Sequence, residues 1–274
     1  MRPRTFPAAR KRFGQHFLEP AWVARIVDAM EPLPDQTFLE IGPGRGAMTR
    51  PLAERAARVI AVEIDRDLAA ALPLTLPPNV RVVQADFLDL DLAGLLHDEA
   101  LPIRVVANLP YNVATPILFR ILHEAGDGRV LSDATLMLQR EVADRLLAGP
   151  GTSDYGALTI QVRLLADVSP VLKLPPGAFR PAPKVHSAVV KLRFRPPAVD
   201  VGDRAAFERL VRGLFLQRRK TLLNALKPVA DAFGSLAPEV IERAGVDGRR
   251  RPETLSLEEM ARLTRCAIVF AGNH

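Results

Sequence analysis

At 274 residues the chain is long enough to bury a full core and carry an appendage, so two domains are expected. With 48% hydrophobic and 25% charged residues it has the composition of a water-soluble protein; its apolar runs are too short for a bilayer span, and its single cysteine, Cys266, excludes an internal disulfide and a cysteine-rich metal site. A net charge of +6 and a pI near 10.0 favour a polyanionic partner, and the cysteine usage suits a reducing, cytoplasmic setting with no membrane or metal.

The amino-terminal segment carries Arg2, Arg4, Arg10, Lys11 and Arg12 without an acid or a long apolar stretch, which argues against a secretory signal. Thr37-Phe38-Leu39-Glu40-Ile41 reads as a buried strand, followed by the turn Gly42-Pro43-Gly44-Arg45-Gly46 and a helical stretch through about Arg55. A strand over Val59–Val62 ends in Glu63, and another over Val80–Val83 leads to Asp86. Strand, turn and helix alternate, which predicts an α/β fold of parallel βαβ units with functional residues at the carboxyl ends of the strands. The glycines lack the dinucleotide spacing, so a diphosphate is not expected, yet they let a ligand approach the backbone closely. Glu63 can accept from both ribose hydroxyls and Asp86 from an adenine amine, and a nucleoside without diphosphate, S-adenosylmethionine, fits this set best.

The apolar run Ile103-Arg104-Val105-Val106-Ala107 ends in Asn108-Leu109-Pro110-Tyr111, the most informative feature of the chain. An aromatic amine such as adenine N6 is a poor nucleophile because its lone pair is delocalised into the ring. Two oxygens accepting its N–H bonds favour a tetrahedral nitrogen, free that lone pair and stabilise the positive charge that develops on attack. The Asn108 side-chain oxygen and the Leu109 carbonyl are the candidate acceptors. Pro110 restricts the residue before it and so aims that carbonyl, and Tyr111 offers a face on which a base can stack. Such chemistry needs neither a metal nor a nucleophilic residue.

Further strands are expected at about 134–138 and 187–194. After Pro196-Pro197 the style becomes helical: Phe207, Leu210, Val211, Leu214 and Phe215 have helical spacing, Pro228 is expected to end that segment or lie just beyond it, and Ser256 with Glu259 reads as a capping box. The boundaries expected are 1–195 for the α/β domain and 196–274 for a small helical domain. Three basic clusters, Arg10 to Arg12, Arg218-Arg219-Lys220 and Arg249-Arg250-Arg251, together with the amine-handling tetrapeptide, point to a nucleic acid.

The chain resembles the ribosomal RNA adenine N6,N6-dimethyltransferases, in particular the bacterial branch acting on small-subunit 16S rRNA. The resemblance rests on Lys11 to Leu18, Glu40 to Gly44, Val62 to Asp65, Asn108 to Asn112, Met137 to Val142, Phe179 to Val185 and Gln217 to Leu222, in the family's order. It implies a Rossmann-like class I methyltransferase sheet, S-adenosylmethionine as cofactor, 16S rRNA as partner and dimethylation of adenines, two adjacent ones being expected. It places Gly42 against the methionyl part of the cofactor, Glu63 on its ribose, Asp86 on its adenine amine, Ile64 against the adenine face, and His16 and Leu18 as closing over it, with Gly44 and Asn108 also in contact with the cofactor. It implies that Asn108, Leu109, Pro110 and Tyr111 form the catalytic loop, with Phe179 stacking on the target adenine opposite Tyr111. Arg180, Lys184, Arg218, Arg219, Lys220, Arg249, Arg250 and Arg251 are expected on RNA phosphates, and a monomer is expected. His16 stands where the family generally has Asn, His186 where Asp is common and Ala85 where Gly is frequent. Other readings are a large-subunit rRNA adenine methyltransferase of the antibiotic-resistance type, a DNA adenine methyltransferase, and a noncatalytic ribosome-assembly factor that binds RNA.

Overall fold

The structure is a computed structural model that describes residues 16–271. The basic cluster Arg10 to Arg12 and the residues Lys11 to Gln15 lie outside the described residues. A two-residue strand, β1 (Phe17–Leu18), leads into α1 (Pro20–Met30). Pro20 opens this helix where its missing N–H breaks no bond, and Val23, Ile26, Val27 and Met30 form the buried stripe. Alternating elements follow: β2 (Thr37–Ile41), α2 (Thr49–Ala53), β3 (Arg58–Glu63), α3 (Arg66–Ala71), β4 (Val80–Gln84), α4 (Leu92–Leu96), β5 (Ile103–Asn108), α5 (Ala114–Glu124) and β6 (Leu131–Gln139). Then come α6 (Arg140–Leu147), α7 (Ala157–Leu165), β7 (Ala166–Leu174), β8 (Phe179–Arg180) and β9 (Ser187–Phe194), and finally α8 (Arg204–Leu216), α9 (Leu222–Asp231), α10 (Ala237–Ala244) and α11 (Leu257–Ala271).

Seven strands form one sheet in the order β4-β3-β2-β5-β6-β9-β7. β2 is parallel to β3 and β5, β3 to β4 and β5 to β6, while β9 runs antiparallel to β6. Every residue of β2 is buried, as are the first five of β5, because helices cover a parallel sheet on both faces and its strands read as continuous apolar runs. From β2 the chain winds outward through β3 to β4, then returns to place β5 on the other side of β2. The crevice at such a switch point, beyond the carboxyl ends of β2 and β5, is where open α/β sheets bind ligands.

The chain divides into two compact units, one of residues 1–143 and 167–196, the other of residues 144–166 and 197–274. The expected boundary near 195 corresponds to one of these breaks. Residues 144–166, expected in the first domain, cluster with the helices of the second unit. Tyr155 shows why: its ring packs edge-on against Phe215 at 6.1 Å and its buried hydroxyl donates to the Leu255 carbonyl at 2.8 Å. In the second unit α8 ends at Leu216, and Pro228 lies inside α9 rather than ending the preceding segment. The capping box at the start of α11 is formed reciprocally, the Ser256 N–H donating to Glu259 and the Glu259 N–H to the Ser256 hydroxyl.

Candidate active site

The carboxyl ends of β2, β3 and β5 converge on one cavity, lined among others by His16, Leu18, Glu40, Gly42, Glu63 and Ile64, and closed on one side by Asn108 to Tyr111. Its volume is about 100 Å³, smaller than the roughly 300 Å³ or more of a typical small-molecule site. Ile64, 43% exposed, presents an apolar side chain at this wall.

The glycine turn builds the floor. Gly42, Gly44 and Gly46 all have positive φ, at 69°, 59° and 77°, a region that costs any residue with a Cβ. A side chain at Gly42 would meet no protein atom within 4 Å, which leaves open space at the cavity floor for a ligand to approach the backbone. At Gly46 it would press on Leu72 and Leu76 at 3.1 Å, so that glycine serves packing.

Two carboxylates face this floor in different states. Glu63 is held by two backbone donors, the Gly44 N–H on Oε2 and the Asp65 N–H on Oε1, both at 2.9 Å. Burial pushes its carboxyl up and those N–H bonds oppose the shift, so its oxygens stay fixed with lone pairs to spare. Glu40 is 1% exposed and neither of its carboxylate oxygens has a hydrogen-bond partner. Burial pushes its carboxyl to about 7; the Thr49 hydroxyl nearby holds the rise back, and the neighbouring Glu63 adds to it. A buried, unpartnered carboxyl on a ligand cavity calls for a cationic or donor group on the ligand. In the sequence Glu40 lies near a carboxyl strand end, where functional residues are expected, but carries no assigned role; its position just before the glycine turn is the available signal.

The amine loop sits opposite. Asn108, the last residue of β5, donates its Nδ2 to the His16 carbonyl at 2.9 Å. The carbonyl can only accept, so the amide is oriented with Oδ1 as its remaining acceptor. The Leu109 N–H donates to the Met137 carbonyl at 3.3 Å, and the Val113 N–H to the Pro110 carbonyl at 3.1 Å, so the loop is tied to β6 and turns into α5. The Tyr111 ring stacks on the His16 imidazole with centroids 6.0 Å apart, and its hydroxyl hydrogen-bonds the Ser187 Oγ at 2.7 Å. The His16 Nδ1 lies 2.7 Å from the Pro181 carbonyl, which requires the tautomer with a proton on Nδ1.

Other expected residues fall elsewhere. Asp86 lies outside the cavity wall, its carboxylate accepting from the Leu88 N–H at 2.9 Å; Arg120 grips the carbonyls of Leu88 and Leu90 and fixes that segment. Phe179 is not among the residues that line the cavity. It is 1% exposed and packs in the core with Leu18, Ile26 and Val189, because its strand β8 pairs with β1. Of the basic residues, Lys184, Arg219, Lys220 and Arg251 are exposed, and Arg180, also exposed, pairs with Glu19 at 2.9 Å. Arg249 is exposed beside Asp247, whose carboxyl it holds below the usual range. Arg218 bonds Glu253 and the Ser153 carbonyl, and Arg250 bonds Glu259 and Thr254, so both serve the second unit's own structure instead of offering a free cation. Among the described residues no cluster could hold a metal ion, and no helix is long and apolar enough to cross a membrane.

Residues 7–265 match the family model "Ribosomal RNA adenine dimethylase". The chain is 45% identical to "Ribosomal RNA small subunit methyltransferase A" of Geobacter metallireducens, covering 96% of this chain and 97% of that one, and 43% identical to the protein of that name from Acinetobacter baylyi, covering 93% and 91%. Among solved structures, a dimethyladenosine transferase from Plasmodium falciparum superimposes with a TM-score of 0.75 at 25% identity, covering 90% of this chain and 96% of that one. The 23S rRNA methyltransferase ErmE superimposes with a TM-score of 0.65 at 32% identity, covering 91% and 98%. The chain belongs to the ribosomal RNA adenine dimethylase family.

Proposed function

We propose that this protein is an S-adenosylmethionine-dependent methyltransferase that dimethylates N6 of adenine in small-subunit 16S ribosomal RNA. The observation that carries the reading is the orientation of Asn108: its Nδ2 is committed to the His16 carbonyl, which leaves Oδ1 to accept from an amine. The cavity fits the cofactor by its own chemistry. Glu40 offers an unpaired buried carboxyl for a cationic group, Glu63 holds fixed acceptors for ribose hydroxyls, Gly42 leaves room at the backbone, and Ile64 presents an apolar face for a purine. Asp86 is proposed for the cofactor's adenine amine, and His16 and Leu18 as the cover of the site.

When bound, S-adenosylmethionine supplies an electrophilic sulfonium methyl. Asn108 and the Leu109 carbonyl hold the target nitrogen in line and stabilise the positive charge that forms on it. Neutral Asn108 is too weak a base to take the N6 proton before attack, so that proton would leave to water once the nitrogen carries positive charge. Tyr111 stacks on the base and holds its plane. The exposed Lys184, Arg219, Lys220 and Arg251 contact phosphates and position RNA without reading sequence.

Small-subunit RNA is favoured over large-subunit RNA because the relatives named for the small subunit are 43–45% identical to this chain, against 32% for the 23S enzyme. The deciding experiment incubates ribosomal subunits from a strain lacking this activity with methyl-labelled cofactor and maps the modified nucleoside. N6-dimethyladenosine in 16S rRNA is the expected product. Label confined to 23S rRNA, or RNA binding without transfer, overturns the reading.

A further inference from the structure

The aromatic platform of the amine loop rests on a residue with no role assigned so far. Tyr111 lies just beyond the end of β5 in a loop, where a side chain is free to swing unless something holds it. Its hydroxyl meets the Ser187 Oγ at 2.7 Å. Ser187 is the first residue of β9, is buried, and pairs in register with Gln139 at the end of β6. The adjoining His186 carbonyl accepts the Arg140 N–H at 3.0 Å, so this corner of the sheet is fixed on both strands. The serine hydroxyl is therefore a rigid post in the central sheet, and the tyrosine is tethered to it by the far end of its ring.

We propose that Ser187 is a positioning residue for the methyl transfer: it fixes the plane of Tyr111, and with it the plane of the stacked adenine, relative to Asn108. The tether acts at the phenol oxygen of a residue that lines the cavity. The His16 imidazole flanks the ring at 6.0 Å, and a stacking contact resists rotation and tilt less than a hydrogen bond to a fixed strand does. Loss of that bond is a loss of alignment, which appears in the rate of transfer and not in cofactor affinity, because Ser187 is not part of the cavity wall.

This inference rests on the reading of the cavity as the methyl-transfer site, and the test separates the two. Single-turnover transfer to small subunits and cofactor affinity by calorimetry are measured for wild type, Ser187→Ala, Tyr111→Phe and the double variant. Tyr111→Phe keeps the ring and removes only its hydroxyl. Loss of one neutral hydrogen bond predicts a drop in transfer rate of roughly three- to tenfold in each single variant. The cofactor Kd is expected to be unchanged, and the double variant to be no slower than either single one. Equal and independent effects of the two substitutions, or a wild-type rate in Tyr111→Phe, overturns the proposal. If Ser187→Ala does not fold, Tyr111→Phe alone still decides it. Absence of transfer by the wild-type protein instead removes the underlying reading of the site.

Discussion

The Asn108 amide nitrogen lies 2.9 Å from the backbone carbonyl of His16, a residue 92 positions earlier in the chain. A main-chain group thus sets which face of the amide meets the substrate, and the side chain at position 16 is free to vary without loss of that bond. Replacement of Asn108 by Ala removes a preorganised acceptor, and the transfer rate is expected to fall by about 10²- to 10³-fold. Cofactor affinity should change little. Labelled-methyl transfer and calorimetry check both halves; unchanged transfer removes Asn108 from the mechanism.

Glu40 makes stability depend on pH. Its carboxyl stands at about 7 in the folded protein against 4.5 ordinarily, so between these values the folded chain holds a proton that the unfolded chain releases. The folded state is therefore favoured below pH 4.5 by this group, and that contribution is lost as pH rises to about 7. Glu40→Gln removes the effect and is expected to be more stable than wild type above pH 8, by at most about 3 kcal/mol. Urea unfolding at pH 5 and pH 8 measures the difference, and a gap that does not widen with pH contradicts it. Binding of the cationic cofactor at pH 6.5 should release part of a proton from wild type and none from Glu40→Gln, as read by calorimetry in buffers of different ionisation heat.

Two glycines of the same turn should fail in different ways. Gly42→Ala and Gly46→Ala both place a Cβ on a backbone with positive φ, at a cost of roughly 1–2 kcal/mol. Only Gly46→Ala also forces Leu72 and Leu76 to move, so it should lose more stability, whereas Gly42→Ala should lose cofactor affinity. Melting temperature and cofactor Kd, measured side by side, tell them apart.

Phe179→Ala should destabilise by about 3–5 kcal/mol, the range for a buried aromatic, because its ring lies in the core with Ile26 and Val189. Phe179→Leu, which keeps much of that packing, is expected to retain most of the transfer activity. A variant as stable as wild type but inactive would restore the stacking role expected from the sequence.

The basic residues of the second unit should separate by function. Arg219→Ala and Lys220→Ala should each weaken RNA binding and flatten its salt dependence by about one in log–log slope. Arg250→Ala should lower the melting temperature first, because it removes the guanidinium that joins Glu259 to the Thr254 carbonyl. Filter binding at several salt concentrations and thermal unfolding measure the two effects.

The strands leading to the site were legible in the sequence because a buried parallel strand is an uninterrupted apolar run. Residues 37–41 coincide with β2; residues 187–194 coincide with the antiparallel β9, legible instead from its β-branched and apolar residues punctuated by Lys191 and Arg193. β7 was not legible: it contains Pro170 and alternates exposed with half-buried residues, as an edge strand can. The place of residues 144–166 was hidden because Tyr155 finds its partners at Phe215 and Leu255, far along the chain. Arg218 and Arg250 read as free charge for the same reason, since Glu253 and Glu259 belong to other elements. The burial of Phe179 depends on the pairing of β8 with β1, which no local pattern announces.

The sheet has one last consequence. β9 is the final strand to be synthesised, yet it lies between β6 and β7. A nascent chain that has not yet released residues 187–194 therefore exposes the bare flank of β6 and has no place for β7, and neither can close around the other. Ser187 is carried on that strand, so translation must pass it before Tyr111 gains its anchor. A chain truncated there would leave the edge of β6 open to association with other chains.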